Sequence, residues 1–421
     1  MHSASSLLRP RRHAAPTWVR AGGAQLPFYA LMLFTLLLVT VPQEVFPVLD
    51  PLHLPLLAAV LAVASYVVDR VNRGRSLTVK GPEIRLVLLL LGLALLSVPT
   101  SYWPGGSLSV IINVFAKSII IFWLLANVLT TPHRLRAMVW ILALSSSVPA
   151  LVVMRNYREG RLMAGGGRVE GYSGLSGNPN DLALMLDLII PLAVGLLLCT
   201  RGLFHRAVLG LLILLGVGGV IVTQSRGGFI YLVTIVVLSL GLIKRTRVWL
   251  VPVVLVVFLS MNGVEGFFAR METIGDVETP GSGQDRWDNM KKAWAIMLQN
   301  PVLGVGIGQN TLALNEAGTY WGRVHNVYLE IGSELGIAGL VVYLLLLRHC
   351  LRSITTALDI WRTQRVELYH LAQGLRISLI GFAVAVNFYP VAYQFPFYYL
   401  AGLAVAMKVL ARKHRHLPVA A

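Results

Sequence analysis

The most regular feature of the sequence is a series of long apolar runs separated by short polar segments. Most runs approach the twenty or so residues that a helix needs to cross a bilayer. The pattern predicts about twelve spans, near residues 27–46, 52–69, 84–101, 108–129, 135–154, 181–200, 206–223, 229–243, 248–261, 326–347, 374–391 and 394–411. The boundaries between 229 and 261 are the least defined, because those two runs are short. We predict an all-α, polytopic membrane protein that forms a single integral membrane domain over residues 1–421.

Composition favours a membrane protein over a water-soluble domain. Of the 421 residues, 56% are hydrophobic and only 13% are charged, and the mean hydropathy is +0.70. A soluble domain of this size would carry about 25% charged residues. The basic N-terminus resembles a signal peptide, but the run from Leu26 to Phe46 is long enough to span and no small-residue cleavage site follows it. We therefore expect an uncleaved first span.

The distribution of the basic residues that give the net charge of +17 indicates how the chain is oriented in the membrane. Basic residues are scattered among the apolar runs, which the positive-inside rule produces, so nucleic acid is not an expected partner. With the N-terminus inside, 25 of the 36 Lys and Arg residues fall in or beside the seven predicted cytoplasmic segments. We predict two cytoplasmic termini, with residues 155–180 and the long loop 262–325 on the outer side.

Of the eleven other Lys and Arg residues, Lys117 lies within a predicted span and ten lie in three of the outer segments, against the insertion bias. These ten are Arg155, Arg158, Arg161, Arg168, Arg226, Arg270, Arg286, Lys291, Lys292 and Arg323. Long loops escape the positive-inside rule, which would account for the loop 262–325 but accounts less well for 155–180. A polyanionic ligand on the outer side explains both segments.

Three polar motifs stand where predicted spans begin on the outer side. They are Gly177-Asn-Pro-Asn-Asp181, Thr223-Gln-Ser-Arg-Gly-Gly228 and Arg323-Val-His-Asn326. A helix N-terminus has unpaired N–H groups and the positive end of the helix dipole, so three such ends could converge on one phosphate-bearing group. Helix capping and a tight turn are the structural alternatives for these residue types.

His325 is the best candidate for a general base. Its place at a helix start lowers the pKa of an imidazole and favours the neutral form, which can accept a proton from an attacking hydroxyl. Asn326, Glu330 and Glu334 share one face of the following span. Lys117 and Asp187 could form a buried pair, which would be structural. Ionisable residues within spans would equally suit a proton-coupled transporter, which keeps a second class of function open.

Residues 285–299 of the long outer loop have the spacing of an amphipathic helix. Trp287, Met290, Trp294, Met297 and Leu298 recur at helical intervals. Such a helix would lie on the outer bilayer surface with its tryptophans at headgroup depth, or pack on the spans as a lid.

Taken together, the motifs resemble those of the O-antigen ligase and O-antigen polymerase superfamily of bacterial membrane glycosyltransferases. The resemblance runs from about residue 168 to 347 and rests on the order and spacing of several short motifs. These are Gly177-Asn-Pro-Asn-Asp-Leu-Ala183, Ser225-Arg-Gly-Gly228, Arg286-Trp287, Asn300-Pro-Val-Leu-Gly-Val-Gly306, His325-Asn-Val-Tyr-Leu-Glu330 and Glu334-Leu-Gly-Ile-Ala-Gly339. The first five predicted spans share only hydropathy with the family.

The resemblance implies an inverting transfer that needs no metal and no cofactor. The donor would be a glycan on undecaprenyl diphosphate in the outer leaflet of the inner membrane. The acceptor would be a lipid A core sugar in a ligase, or another carrier-linked glycan in a polymerase. Ligase is favoured by the single long outer loop before His325, and a polysaccharide or lipid transporter is the rival from another class.

The resemblance also implies a role for individual residues. His325 would act as the base, while Arg226 and Arg286, together with Arg168, would neutralise the diphosphate as it leaves. Further expected substrate-binding residues are Asn178, Asn180, Arg323 and Asn326. No metal ligand is predicted, because the outer side has no cluster of His and carboxylates with ligand spacing.

Overall fold

The computed structural model describes residues 24–162, 168–172, 177–242, 284–318, 322–364 and 366–415. Within these ranges the regular structure is helical, apart from one isolated β-bridge between Leu162 and Val169. The main helices are α1 (Gln25–Thr40), α2 (Leu54–Asn72), α3 (Pro82–Leu96), α4 (Pro104–Val128), α5 (Pro132–Arg158), α6 (Pro179–Cys199), α7 (Leu203–Val222), α8 (Arg226–Leu242), α9 (Gln284–Gln299), α10 (Asn310–Glu316), α11 (Val327–Gln364), α12 (Val366–Ala385) and α13 (Phe395–Arg415). The predicted all-α, polytopic membrane fold is confirmed.

Every predicted span that falls on described residues coincides with one of these helices. The run at 248–261 lies outside the described residues, as does Arg270 of the long loop. In the described part of the chain, seven helices are long and apolar enough to cross a membrane, and α1 and α8 are apolar but shorter. The total of about twelve spans therefore stays a prediction. Helix α11 extends to Gln364, well beyond the predicted run, because hydropathy detects its apolar part and misses its polar continuation.

Proline marks the start of several spans. Pro82, Pro104, Pro132 and Pro179 each occupy the first turn of their helix. The first turn has no intrahelical partner for its N–H groups, and the fixed φ of proline suits a helix, so the residue is well tolerated there. These prolines explain why the observed helices begin close to the predicted boundaries.

Helix α6 lies at the centre of the bundle. In its most apolar stretch 83% of the residues are buried, against 17% for the peripheral span that includes α2. Its most extensive contact is with α12. The backbones approach so closely there that a Cβ on Gly374 would lie 2.3 Å from the Pro191 carbonyl oxygen. Small residues permit this close packing of spans.

Helix α11 is broken at Gly336, whose φ of 70° and ψ of −174° lie in a region that essentially only glycine adopts. The break leaves backbone groups available to the segment that follows α9. The Val305 N–H donates to the Ser333 carbonyl over 2.9 Å, and the Ile337 N–H donates to the Pro301 carbonyl over 2.8 Å. The segment 301–306 is therefore bound to the backbone of α11 on both sides of the break.

Segments predicted on the same side of the membrane contact one another. At one end, the Tyr102 N–H donates to the Val305 carbonyl over 3.1 Å. At the other, the buried Lys408 and Glu83 form an ion pair between α13 and α3. These contacts agree with the predicted threading. Which end faces the periplasm stays a prediction.

The buried pair of Lys117 and Asp187 does not form. Lys117 is exposed on α4, whereas Asp187 is completely buried on α6, and neither of its carboxylate oxygens has a hydrogen-bond partner within the part of the chain that the structure describes. Hydropathy places both residues within spans but does not fix which face of each helix turns inward. A π-turn at Ile111–Phe115 just before Lys117 changes the rotation of α4, which periodicity alone does not reveal.

Candidate active site

The starts of α6 and α8 meet through the side chain of Asn180. Asn178 caps α6, with its Oδ1 accepting from the Asn180 N–H over 2.9 Å. The Asn180 Oδ1 in turn accepts from the Arg168 guanidinium over 2.9 Å and from the Ser225 hydroxyl over 2.8 Å. Two of the three predicted motifs thus share one hydrogen-bonded cluster, which also includes an arginine from the outer segment.

Arg168 reaches this cluster from a position next to an isolated β-bridge. Leu162, shortly after α5, pairs with Val169 in this antiparallel bridge. The Arg168 guanidinium also donates to the Thr223 carbonyl over 3.4 Å, at the end of α7. The arginine is therefore held against the starts of both α6 and α8.

The motif before α8 forms a tight turn, as the structural alternative expects. Gln224 has a positive φ of 50°, and the Ser225 hydroxyl accepts from the Gly228 N–H over 3.2 Å. This turn places Arg226 at the first residue of α8. The Tyr389 hydroxyl, from the turn between α12 and α13, lies 3.4 Å from the Ser225 hydroxyl.

Arg286 is supplied by the amphipathic helix α9, which spans Gln284–Gln299 and confirms the helix predicted at 285–299. The helix packs against α11 with Ala293 and Met297 buried, while Trp287 and Trp294 stay about half exposed. It therefore packs on the spans, as the lid alternative requires, and directs its tryptophans away from them.

Positive charges act on both Arg286 and His325. Burial and the neighbouring positive charge of Arg226 lower the pKa of Arg286 below its ordinary value. Burial and the charges of Arg286 and Arg323 lower the pKa of His325 to about 4. The imidazole is therefore neutral at pH 7. Several like charges held close together favour an anionic ligand, because an anion offsets their repulsion.

The hydrogen bond of His325 identifies the nitrogen that is available for chemistry. Its Nδ1 lies 2.9 Å from the Arg323 carbonyl oxygen. A carbonyl can only accept, so Nδ1 carries the proton and Nε2 of the neutral ring keeps its lone pair. The arrangement leaves Nε2 as a proton acceptor.

Asn326 has a structural task. Its Oδ1 caps α11 by accepting from the Tyr328 and Leu329 N–H groups over 3.0 and 3.1 Å. Its Nδ2 donates to the Asn387 side chain over 3.2 Å. Capping thus accounts for Asn326 and for Asn178, and a substrate contact of either residue stays a prediction.

Two further residues of the site were not singled out from the sequence. The Asp181 carboxylate interacts with the charges of Arg168 and Arg323, a role beyond the helix capping that its motif allows. Tyr389 lies among Arg286, Arg168 and Ser225, but no motif surrounds it. Only the packing of the turn after α12 brings it to the site.

Among the described residues, no group of three or more His, Cys, Asp and Glu side chains could hold a metal ion. The expectation of a transfer without metal stays a prediction, since it concerns the reaction itself.

Comparison with known proteins gives two matches to family models. Residues 211–344 match a family described as O-antigen ligase, and residues 17–178 match a family of unknown function. No curated protein matches the chain. One solved chain, from a structure described as "Structural coordination of polymerization and crosslinking by a peptidoglycan synthase complex", is 17% identical, with 79% of this chain and 97% of that chain covered and a TM-score of 0.42. The match to the O-antigen ligase model covers residues 211–344, which include the starts of α8 and α11 and all of α9, and it supports the resemblance to the O-antigen ligase and polymerase superfamily.

Proposed function

We propose that the protein is an O-antigen ligase-like enzyme of the bacterial inner membrane, with both termini cytoplasmic and its site facing the periplasm. It transfers a glycan from undecaprenyl diphosphate to a hydroxyl of a lipid A core acceptor, with inversion at the anomeric carbon and without a metal. The family match to residues 211–344 supports the class of reaction. The donor, the acceptor and the orientation are parts of the proposal.

The observation that carries the proposal is a cluster of four arginines linked to one another through their neighbours, two of which act on one neutral histidine. Arg168, Arg226, Arg286 and Arg323 come from four separate segments, and the charges of Arg286 and Arg323 act directly on His325. Guanidinium groups bind phosphate oxygens through two parallel hydrogen bonds, so a diphosphate suits this cluster. A neutral imidazole beside a phosphate site is the arrangement that transfer to a hydroxyl requires.

In the proposed reaction, the acceptor oxygen attacks the anomeric carbon as the bond from that carbon to the diphosphate oxygen breaks. His325 Nε2 takes the proton of the acceptor hydroxyl. The electron pair of the broken bond leaves with undecaprenyl diphosphate, and the arginines stabilise the negative charge that grows there. Stabilisation of developing charge is usually the largest single contribution to catalysis.

The transporter alternative is less well supported by the ionisable residues of α11. The Glu330 carboxylate accepts from the Ala392 N–H over 3.0 Å, and the Glu334 carboxylate accepts from the Gly308 N–H over 2.8 Å. Both carboxylates thus bind backbone groups of neighbouring loops. They do not form the midplane ion site that a proton-coupled transporter would need.

The test is transfer by purified protein in nanodiscs with undecaprenyl-diphosphate glycan and excess chelator. One reaction contains a lipid A core acceptor and a second contains only the carrier-linked glycan. Product on the lipid A core supports the ligase, and longer chains on the carrier support the polymerase. His325→Ala should lower the rate by about 10²–10⁴-fold, the usual worth of positioned proton transfer, with donor binding nearly intact. Full activity of that variant would remove the base from the mechanism, and no transfer to either acceptor would contradict the proposal.

A further inference from the structure

A chain of hydrogen bonds connects a buried carboxylate of α11 to the ring of His325. Its first link is between Glu334 and Asn310. The Glu334 carboxylate accepts from the Asn310 N–H over 3.1 Å and also from the Asn310 side-chain amide. Glu334 is completely buried and Asn310 is 4% exposed, so water does not compete for this contact.

The second link passes through one peptide unit. The Asn310 Oδ1 accepts from the Val324 N–H over 3.2 Å. That N–H and the Arg323 carbonyl belong to the same planar peptide. The same carbonyl accepts from His325 Nδ1 over 2.9 Å. Asn310 and the imidazole therefore bind opposite sides of one rigid peptide, and the orientation of that peptide couples them.

We propose that Glu334 and Asn310 are positioning residues which orient His325 and hold its proton on Nδ1 through the Arg323–Val324 peptide. All three hydrogen bonds run in the same direction. The His325 ring donates to the Arg323 carbonyl, the Val324 N–H donates to Asn310, and the Asn310 amide donates to Glu334. A base held by a third group is the arrangement that makes a histidine effective in other catalytic sites. Bonds in a chain also polarise one another, so the carboxylate strengthens the amide and peptide that follow it.

Burial shows why this chain suits positioning. Val324 is completely buried in a small apolar cluster with Ala293 and Ile296 of α9 and Leu314 of α10. The peptide before His325 is thus fixed by packing on one side and by Asn310 on the other. The loop residue that carries the base is held by α9, α10 and α11 together.

The proposal rests on the proposed function, in which His325 is the base, and double-mutant kinetics separate the two. Asn310→Ala removes the link to Val324, and Glu334→Gln keeps the side-chain volume while setting an amide against N–H donors. Asn315→Ala is the control, because it removes a partly exposed asparagine from the same helix α10. Each change is made in the native protein and in His325→Ala. Size-exclusion profiles and melting temperatures identify any variant that fails to fold.

In the native background, either positioning variant should lower kcat by about 10- to 10²-fold and leave KM for the donor within about 2-fold of its native value. In the His325→Ala background, neither variant should lower the residual rate further. Equal losses in both backgrounds, or a loss expressed in KM, would show a role in folding or binding and would overturn the proposal. Native kcat in both variants would overturn it as well. If Asn310→Ala does not fold, Glu334→Gln decides. Native activity of His325→Ala itself would instead refute the base on which the proposal depends.

Discussion

His325 and the arginines depend on opposite features of the same surroundings. Burial and positive neighbours keep the imidazole neutral, so it can accept a proton. The arginines stay charged, because a guanidinium keeps its proton at any physiological pH. The same positive charges therefore keep His325 neutral as a base and attract an anion to the neighbouring arginines. Two different kinds of substitution follow from this contrast.

The first prediction concerns pH. The pKa of about 4 for His325 means that kcat/KM should stay level from neutral pH down to about pH 5 and fall as pH drops through about 4, where the imidazolium forms. A bound diphosphate should raise the pKa, because an opposite charge favours the protonated ring. The acidic limb of kcat should therefore lie at a higher pH than that of kcat/KM. Initial rates over the pH range measure both limbs.

The control for the pH profile is recovery of full activity on return to neutral pH, which excludes irreversible acid denaturation. An acidic limb of kcat/KM at the ordinary histidine value of about 6.5 would contradict the proposed surroundings of the base.

The second prediction concerns the arginines. Arg226→Lys and Arg286→Lys should each lower kcat by about 10²-fold while the protein still inserts, because an ammonium is a point charge and cannot replace a planar fork at a diphosphate. Arg161→Lys is the matched control. Its side chain is 54% exposed and pairs with Glu159 over 2.7 Å, so its replacement should leave transfer unchanged. Near-native transfer by either site variant would remove that arginine from the diphosphate clamp.

Among the secondary-structure elements, the starts of α6, α8 and α11 carry the site, and α9 and the segment after it hold those starts in place. A helix start offers N–H groups and a partial positive charge. The protein uses side-chain caps at two of these starts, Asn178 and Asn326, and a tight turn at the third. The break in α11 extends this support, since its freed backbone groups bind the segment after α9.

The third prediction tests that break. Gly336→Ala should lower the melting temperature and reduce transfer, because its backbone conformation costs a non-glycine residue about 1–3 kcal/mol and the new Cβ would lie 2.5 Å from the Pro301 carbonyl oxygen. The control is Gly210→Ala in α7, where the added Cβ meets nothing within 4 Å. Alanine favours a helix over glycine, so this control should melt at the same temperature or higher. Equal melting behaviour of the two variants would contradict the role of the break.

Across the entire chain, the site lies where the loops of one end of the bundle meet. The outer segments hold basic residues against the insertion bias, and four of them, Arg168, Arg226, Arg286 and Arg323, converge there. Charges that oppose correct insertion are best explained by a ligand that needs them. This end should therefore be the one that faces the periplasm.

The fourth prediction tests the orientation. Ala317→Cys, in an exposed position after α10, should react with a membrane-impermeant thiol reagent once the outer membrane is permeabilised. Ser76→Cys, exposed between α2 and α3, should react only after the inner membrane is opened. The native Cys199 and Cys350 are buried and should contribute little background. The opposite labelling pattern would invert the threading.

Local patterns were sufficient for the spans that fall on described residues, the amphipathic helix and the motifs at helix starts. Apolar runs are long because the bilayer is thick, and the helical spacing of 285–299 is a property of neighbouring residues. The family resemblance also pointed to His325, Arg226 and Arg286, because short motifs survive in sequence order.

Tertiary packing decided which of these side chains meet. It buried Asp187 while leaving Lys117 exposed, brought Tyr389 to Ser225, and joined Glu334 to His325 through Asn310. Such contacts depend on how each helix is rotated about its axis and on where loops distant in sequence cross it. Rotation and crossing follow from close contacts between residues far apart in the chain, for which hydropathy and periodicity carry no signal.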